Sequence, residues 1–501
     1  MSWGKGDIEM RFAVFAGLLL AIFVPTLTDM GYWLLDAETL IYGGISLVLA
    51  GLFTLIGRIH PSVDRFLAGL LVYWIADAFF FDGPAVPVIA GIAVLALLHT
   101  RLKNTLRPML LIFGLVFLVS NVAVGAHPLL AKTAKVSPAA APQPAGKGPP
   151  IVHIILDGFM SPQAAASMGT LDHAVAEAIA DDYLKRGFRV YTAARSVHYR
   201  THVSVSNMLG LDDQSQPADY NVQRVHEDLY HVRDNHWARQ LKSLGYRITV
   251  IGVDYIDLCT EEIDACFTYR ADGDGHIVSR FGIGIPQRTD IALRAIDRRW
   301  YHKGATGTVA LYREIDKLLI KVGFRSKPID VSVARIGNAL TVLDDELPSR
   351  LGEIRPGEAY LAHVLLPHSP YVLNEDCGLE PSSEWVPRRT LDVSDVESYE
   401  RLSLQMICTH RRTLALIDAI LAGPSGKDAV FFIHGDHGAR HVRNPDDLDG
   451  ANLETLTPEV AADMLDPLFV VRAPGVVEPG LDADPITLQA EFRDLFLQTA
   501  K

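Results

Sequence analysis

The sequence predicts a five-helix transmembrane domain followed by a three-layer α/β domain on the extracytoplasmic side. Three observations carry this expectation. Long apolar runs are confined to residues 12 to about 125, whereas the rest of the 501-residue chain has the mixed composition of a soluble domain. Basic residues fall only on alternate loops between those runs. From residue 151 onward, short β-branched runs alternate with helix-length stretches.

In windows of membrane-spanning length, five segments emerge at roughly 12–28, 39–57, 66–81, 84–99 and 109–125. A cleaved signal peptide would account for the first alone, so residues 1–125 read as a retained membrane domain. Lys5 and Arg11 precede the first span, Arg58 and Arg65 follow the second, and Arg101, Lys103 and Arg107 precede the fifth. The intervening loops, 29–38 and 82–83, carry no Lys or Arg. This positive-inside pattern puts the N-terminus in the cytoplasm and, after five crossings, everything beyond residue 125 outside it. The spans hold few charges, Asp77 being the main exception, which argues against a transporter. Residues 126–150, rich in Ala and Pro and without apolar periodicity, read as an extended linker.

All four cysteines lie in the outer portion. Cys259 and Cys266 are close enough to staple a local loop in an oxidising compartment, and their spacing is not that of a CxxC motif. Cys377 and Cys408 either pair or remain free buried thiols. A net charge of −13, with no sustained basic patch interleaved with aromatics, argues against nucleic acid as a partner. Residues 279–303 run against that trend with Arg280, Arg288, Arg294, Arg298, Arg299 and Lys303. They read either as a solvated helical face or as a surface for anionic lipid headgroups.

The outer domain, 151–501, opens at IVHIILDGF, a β-branched run ending in Asp-Gly. Buried parallel strands have this composition, and their carboxyl ends are where α/β sheets place their sites. A helical stretch near 170–186 leads into FRVYTAA and then the hydroxyl-rich YRTHVSVSNMLG at 199–210, which suits either a half-buried strand or a reactive segment. Residues 236–254 read as helix, turn at Gly245, then strand. AYLAHVLLPHSPY (359–371) reads as a strand ending in a His-containing turn. A long helix over about 397–422 precedes the strand DAVFFIHGDHG (428–438). A late strand, DPLFVVRAPG (466–475), and a helix near 486–498 complete the pattern.

Three strand ends thus carry Asp157, His368, and Asp436 with His437. Singly, Asp-Gly is an ordinary turn and a lone His an ordinary hydrogen-bonded residue. HGDHG is different, because Asp and His sit together between glycines directly after four apolar residues. Asp157, Asp436 and His437 suit one divalent cation: zinc or manganese first, magnesium or calcium as further candidates. A fourth position would remain open. A hydroxyl belongs there, since coordination is one way to activate an otherwise poor nucleophile.

Asp157 after IIL, the 199–210 stretch, PHSPY at 367–371, GDHG at 435–438 and PLFVVRAPG at 467–475 follow the order of the sulfatase and alkaline-phosphatase-like superfamily. The chain most resembles its membrane-bound branch, the phosphoethanolamine and phosphoglycerol transferases that include lipoteichoic acid synthases. The resemblance covers essentially the whole chain except about 270–350, and it implies an alkaline-phosphatase/sulfatase-like catalytic domain in the periplasm of a bacterial-type cytoplasmic membrane. It also implies a phospholipid donor and an envelope glycan or lipid acceptor. Thr201 falls on the nucleophile position of that branch, with Ser206 replacing a proline. Sulfatases instead require a Cys or Ser in Cys/Ser-x-Pro-x-Arg, and here Val203 and Val205 occupy the Pro and Arg positions. Asp157 departs from the branch, where a glutamate is usual, and Gly158 stands where sulfatases commonly have a second Asp, so a single-cation site is the economical reading. His368 matches a histidine that contacts the transferred group or acts as general acid. His441 is a weaker phosphate-contact candidate, and His202, His363 and His434 are expected to be core or supporting residues.

The expected activity is metal-dependent transfer of a phospholipid headgroup through a phospho-threonine. One rival is a hydrolase of sulfate or phosphate esters, with water replacing the acceptor. Another is a catalytically degenerate envelope binding protein, disfavoured by retention of all four expected ligands, Asp157, Thr201, Asp436 and His437.

Overall fold

The computed structural model describes residues 5–29, 32–58, 130–132, 148–211, 217–226, 229–270, 336–381, 384–386, 395–441 and 456–500, with scattered positions between 63 and 116 and between 284 and 321. The chain divides into two compact units: Met1–Pro128 with Asp272–Ala334, and Leu129–Ala271 with Arg335–Lys501. Residues 272–334, placed by sequence in the outer domain, lie largely outside the described residues.

The first unit contains α1 (Lys5–Asp29) and α2 (Ala37–Gly57). These are two helices long and apolar enough to cross a membrane by length and composition. They coincide with the first two expected spans. The other three, 66–81, 84–99 and 109–125, lie largely outside the described residues. Phe15, Leu18, Leu19 and Ile22 of α1 pack with Ala50 of α2. At the start of α2 the buried Glu38 carboxylate accepts from Arg288 Nε and Nη2 at 2.5 and 3.0 Å. Tyr42 donates its hydroxyl to the Thr289 carbonyl at 3.1 Å. Arg288, one of the 279–303 cations, thus spends its charge on a protein carboxylate. The cluster's other cations lie outside the described residues.

The second unit is built on a nine-stranded sheet. Its strands in chain order are β1 (Leu130–Lys132), β2 (Ile151–Leu156), β3 (Arg189–Tyr191), β4 (Arg247–Val253), β5 (Ala265–Tyr269), β6 (Glu358–Val364), β7 (Val430–Gly435), β8 (Phe469–Arg472) and β9 (Gly480–Asp482). Their spatial order is β1-β5-β4-β6-β2-β7-β8-β3-β9. The central block β5-β4-β6-β2-β7 is parallel throughout. β8 runs against both of its neighbours, and β1 against β5. Every residue of β2 and β7 is buried, as covering both faces of a sheet requires.

The helices that matter for the site are α3 (His173–Leu184), α4 (Thr201–Leu209), α5 (His236–Ser243), α6 (Asp395–Leu421), α7 (Pro458–Leu465) and α8 (Leu488–Thr499). The hydroxyl-rich stretch is therefore helix α4, with Thr201 as its first residue. Ser204, Val205, Ser206, Met208 and Leu209 of α4 are all buried. The core includes Phe431, Phe432, Phe469, Phe492, Phe496 and Trp237, all fully buried. Within it the His153 and His434 Nε2 atoms lie 2.7 Å apart, so one ring donates to the other. Two disulfides close the unit, Cys259–Cys266 across 7 residues and Cys377–Cys408 across 31.

Candidate active site

Strand register assembles the site. Leu156 of β2 pairs with Val364 of β6 on one side and Gly435 of β7 on the other, so Asp157 and Asp436 leave adjacent strands at the same level. His363 and His434 both sit opposite Ile155. The two glycines around Asp436-His437 are required by close approach: a Cβ at Gly435 would lie 2.3 Å from the Phe159 carbonyl, and one at Gly438 would lie 2.2 Å from that of Asp463. Helix α4 is tied to this loop by Ser204, whose hydroxyl donates to the Asp436 carbonyl at 2.7 Å. Gln489 of α8 donates in turn to Ser204 Oγ at 3.1 Å and Ser196 Oγ at 2.9 Å.

The structure brings Asp157, Thr201, Asp436 and His437 together. Thr201 Oγ1 lies 3.0 Å from His437 Nε2 and 3.4 Å from Asp157 Oδ2. His437 Nε2 is 3.1 Å from Asp436 Oδ2 and 3.9 Å from Asp157 Oδ1. His437 Nδ1 lies 2.6 Å from the Gly438 carbonyl, which fixes the proton there and leaves Nε2 with a lone pair. Asp436 Oδ1 accepts from Gly158 N at 2.9 Å. Asp157 Oδ1 and Asp436 Oδ2 are buried with no hydrogen-bond donor among the described residues.

Two buried carboxylates facing an imidazole lone pair repel one another unless a cation or a proton lies between them. Burial, and next the neighbouring Asp157 charge, push the Asp436 carboxyl up to about 7. For Asp157 burial acts upward but is outweighed by His368, His363 and His437, which hold it well below the usual carboxylate range. Burial, reinforced by Arg440, keeps His437 neutral. Donor atoms bound about 2.0–2.2 Å from one tetrahedral cation sit roughly 3.3–3.6 Å apart. The 3.0, 3.1 and 3.9 Å separations around His437 Nε2 bracket that spacing. Oxygen and nitrogen donors, orphaned carboxylate oxygens and spacing all fit one divalent cation.

His368 is near enough for its charge to act on both Asp157 and His437. Its turn is held by Gln405 of α6, whose amide nitrogen donates towards the carbonyls of Pro367, His368 and Pro370 at 3.1, 2.9 and 3.0 Å. Gln405 Oε1 accepts from Val372 N at 2.9 Å. His441 is engaged elsewhere: Tyr371 lies 3.2 Å from its Nδ1, and Ser398 hydrogen-bonds its Nε2. Both ring nitrogens are thereby used inside the protein. His202 stacks on Tyr230, ring centroids 3.8 Å apart.

Tyr255 was not singled out from sequence, and His363, expected as a core or supporting residue, stands directly beside Asp157. His363, fully buried, places Nε2 3.3 Å from Asp157 Oδ2. With Asp157 and Asp436 it forms a group whose ligand atoms lie within 4.8 Å of one another. A polar residue inside the apolar run AYLAHV was the available signal. Tyr255, half-buried, donates its hydroxyl to Asp157 Oδ2 at 2.9 Å. Burial, with the Asp157 and Asp436 charges, raises its proton affinity well above normal, so the phenol stays a donor. It stands just past the end of β4, where the strand-end rule that picked out Asp157 applies equally. Arg440 adds a cation beside the site on a left-handed backbone, φ 57°.

No family model and no curated protein matches the chain. Solved structures do. The C-terminal periplasmic domain of EcEptC from Escherichia coli matches at TM-score 0.38 and 13% identity, over 75% of this chain and 86% of that one. BT1596, a 2-O GAG sulfatase, matches at TM-score 0.38 and 10% identity, over 70% of each chain. A protein in the alkaline phosphatase superfamily from Vibrio parahaemolyticus matches at TM-score 0.33 and 15% identity, over 73% of this chain and 69% of that one. The solved structures to which this chain is similar include members of the alkaline phosphatase superfamily and sulfatases.

Proposed function

We propose that the protein is a membrane-anchored, metal-dependent phosphotransferase facing the periplasm. It moves a phospholipid headgroup, phosphoethanolamine or phosphoglycerol, onto an envelope glycan or lipid. The observation that carries this reading is the Thr201 hydroxyl at the first turn of α4, 3.0 Å from the bare His437 nitrogen and 3.4 Å from Asp157. Asp157, Asp436, His437 and Thr201 would hold the cation, which would supply Lewis acidity to lower the proton affinity of the threonine and offset phosphoryl charge.

The rest falls to the chain. Thr201 releases its hydroxyl proton to water and its Oγ1 bonds to the phosphorus of the donor, the bond to the diacylglycerol oxygen breaks, and His368 gives that oxygen a proton. An acceptor hydroxyl then attacks the phosphorus of the phospho-threonine, passing its proton to His368, and the Oγ1–P bond breaks as Thr201 regains a proton from water. The start of α4 presents backbone N–H groups, which favour the phosphate oxygens. Arg440, whose charge reaches His437 and Asp436, adds to that stabilisation. A threonine nucleophile and apolar helices α1 and α2 both suit a lipid donor, since an anchored enzyme meets its lipid at high effective concentration.

The test uses the detergent-purified full chain with zinc and vesicles of phosphatidylethanolamine and phosphatidylglycerol. Diacylglycerol release by the wild type, lost in Thr201→Val, supports transfer from a lipid. Release of phosphate or sulfate from soluble esters without diacylglycerol would instead identify a hydrolase.

A further inference from the structure

The two oxygens of Asp157 are not equivalent. Oδ2 has three polar neighbours: Tyr255 OH at 2.9 Å, His363 Nε2 at 3.3 Å and Thr201 Oγ1 at 3.4 Å. Oδ1 has no donor among the described residues and faces His437 Nε2 at 3.9 Å. A carboxylate can turn about its last torsion and exchange its oxygens, so something must hold this one. Among these neighbours the phenol makes the shortest hydrogen bond, and it is itself firmly placed. Tyr230 N donates to the Tyr255 carbonyl at 2.9 Å, and Asp254 N donates to Tyr269 of β5 at 2.9 Å. The Cys259–Cys266 disulfide closes the same segment onto β5. The Tyr255 ring stands edge-on to His363, centroids 5.9 Å apart.

We propose that Tyr255 is a positioning residue, which by donating to Asp157 Oδ2 turns Oδ1 towards the cation and limits Asp157 to one-oxygen coordination. This rests on the cation reading of the site. Its consequence is tighter metal binding, because Asp157 is oriented before the cation arrives and the entropy of fixing it has already been lost. It also places Asp157 so that Thr201 Oγ1 and Asp436 Oδ2 keep the remaining positions around His437 Nε2.

The test is a zinc competition titration against a chelating dye, on the detergent-purified full chain after chelator treatment. Tyr255→Phe, which keeps the ring, is expected to weaken zinc binding about 10- to 100-fold. In an Asp157→Asn background the same substitution is expected to add little, because the tyrosine acts through Asp157. A merely structural tyrosine would lower the thermal midpoint of chelator-treated and zinc-loaded protein alike and leave zinc affinity unchanged; that result overturns the proposal. Were Tyr255→Phe not to fold, a crystal structure of the zinc-loaded wild type decides. Asp157 Oδ1 on zinc with Oδ2 on Tyr255 supports the assignment, and Oδ2 or both oxygens on zinc overturns it. If Asp436→Asn loses zinc while Tyr255→Phe binds like the wild type, only this assignment fails. If the wild type itself binds no zinc, the cation reading fails and takes the assignment with it.

Discussion

Asp436→Asn should make the metal-free protein more stable while abolishing its response to zinc. Asn keeps an oxygen for Gly158 N and replaces Oδ2, 3.1 Å from the His437 Nε2 lone pair, with an amide that can donate to it. The magnitude follows from two routes. Ligand atoms of Asp157 and Asp436 lie within 4.8 Å, so two full charges cost at least about 3.5 kcal/mol at an effective dielectric of about 20. Independently, raising the Asp436 carboxyl from 3.8 to about 7 corresponds to about 4 kcal/mol. A raised folded-state value for an acid costs stability above the unfolded value, and the cost is complete above the folded one; at pH 8 it is present in full. Relieving about 3–4 kcal/mol should raise the midpoint of the chelator-treated protein by roughly 5–8 °C. The assay is scanning calorimetry of the full chain in detergent at pH 8, with and without zinc. Zinc should raise the wild-type midpoint through preferential binding to the folded state and leave the variant unmoved. If the metal-free variant melts at or below the wild type and both gain equally from zinc, the carboxylates do not form a cation site.

Acid should weaken the core before it reaches most carboxylates. Burial lowers His434 from 6.5 to about 4, so below pH 6.5 the unfolded chain takes up a proton that the folded protein refuses. Stability should therefore fall between pH 6.5 and about 4, by about 3 kcal/mol for this residue, and equilibrium denaturation across that range reads it. Replacing Cys259 and Cys266 by Ser should cost about 2.4 kcal/mol, and the 31-residue Cys377–Cys408 pair about 3.7 kcal/mol, from loop entropy alone. Denaturant midpoints that reverse this order would show that strain or unfolded-state structure dominates. Gln405→Leu removes the donor shared by three carbonyls around His368 and the acceptor of Val372 N. It should cost at least about 3 kcal/mol and lower turnover more than zinc affinity, since His368 is not among the proposed ligands.

Most elements of the outer unit were legible because apolar runs and turn residues mark them. The helix expected near 170–186 is α3, His173–Leu184, and the one expected over 397–422 is α6, Asp395–Leu421. The strand ending in GDHG is β7, Val430–Gly435. Asp157 and Asp436 could be found because both follow buried strands, a position that depends only on local pattern. The 199–210 stretch was not legible. Val203 and Val205 alternate with hydroxyls as in a strand, yet Ser204 and Ser206 are buried with Val205 while Val203 is half-exposed. The helix is stabilised by long-range bonds, Ser204 to Asp436 and Gln489 to Ser204, which no local window contains. The same applies to Tyr255, whose importance lies in a partner about 100 residues away.

The central claim is that the Thr201 oxygen takes the headgroup phosphate. Peptide mass spectrometry after incubating zinc-loaded protein with phosphatidylethanolamine or phosphatidylglycerol, quenched in acid, tests it directly. A phosphoethanolamine or phosphoglycerol adduct on the Thr201 peptide, absent from Asp436→Asn, is the predicted result. Full turnover with Thr201 unmodified, or with residue 201 lacking its hydroxyl, would contradict the account.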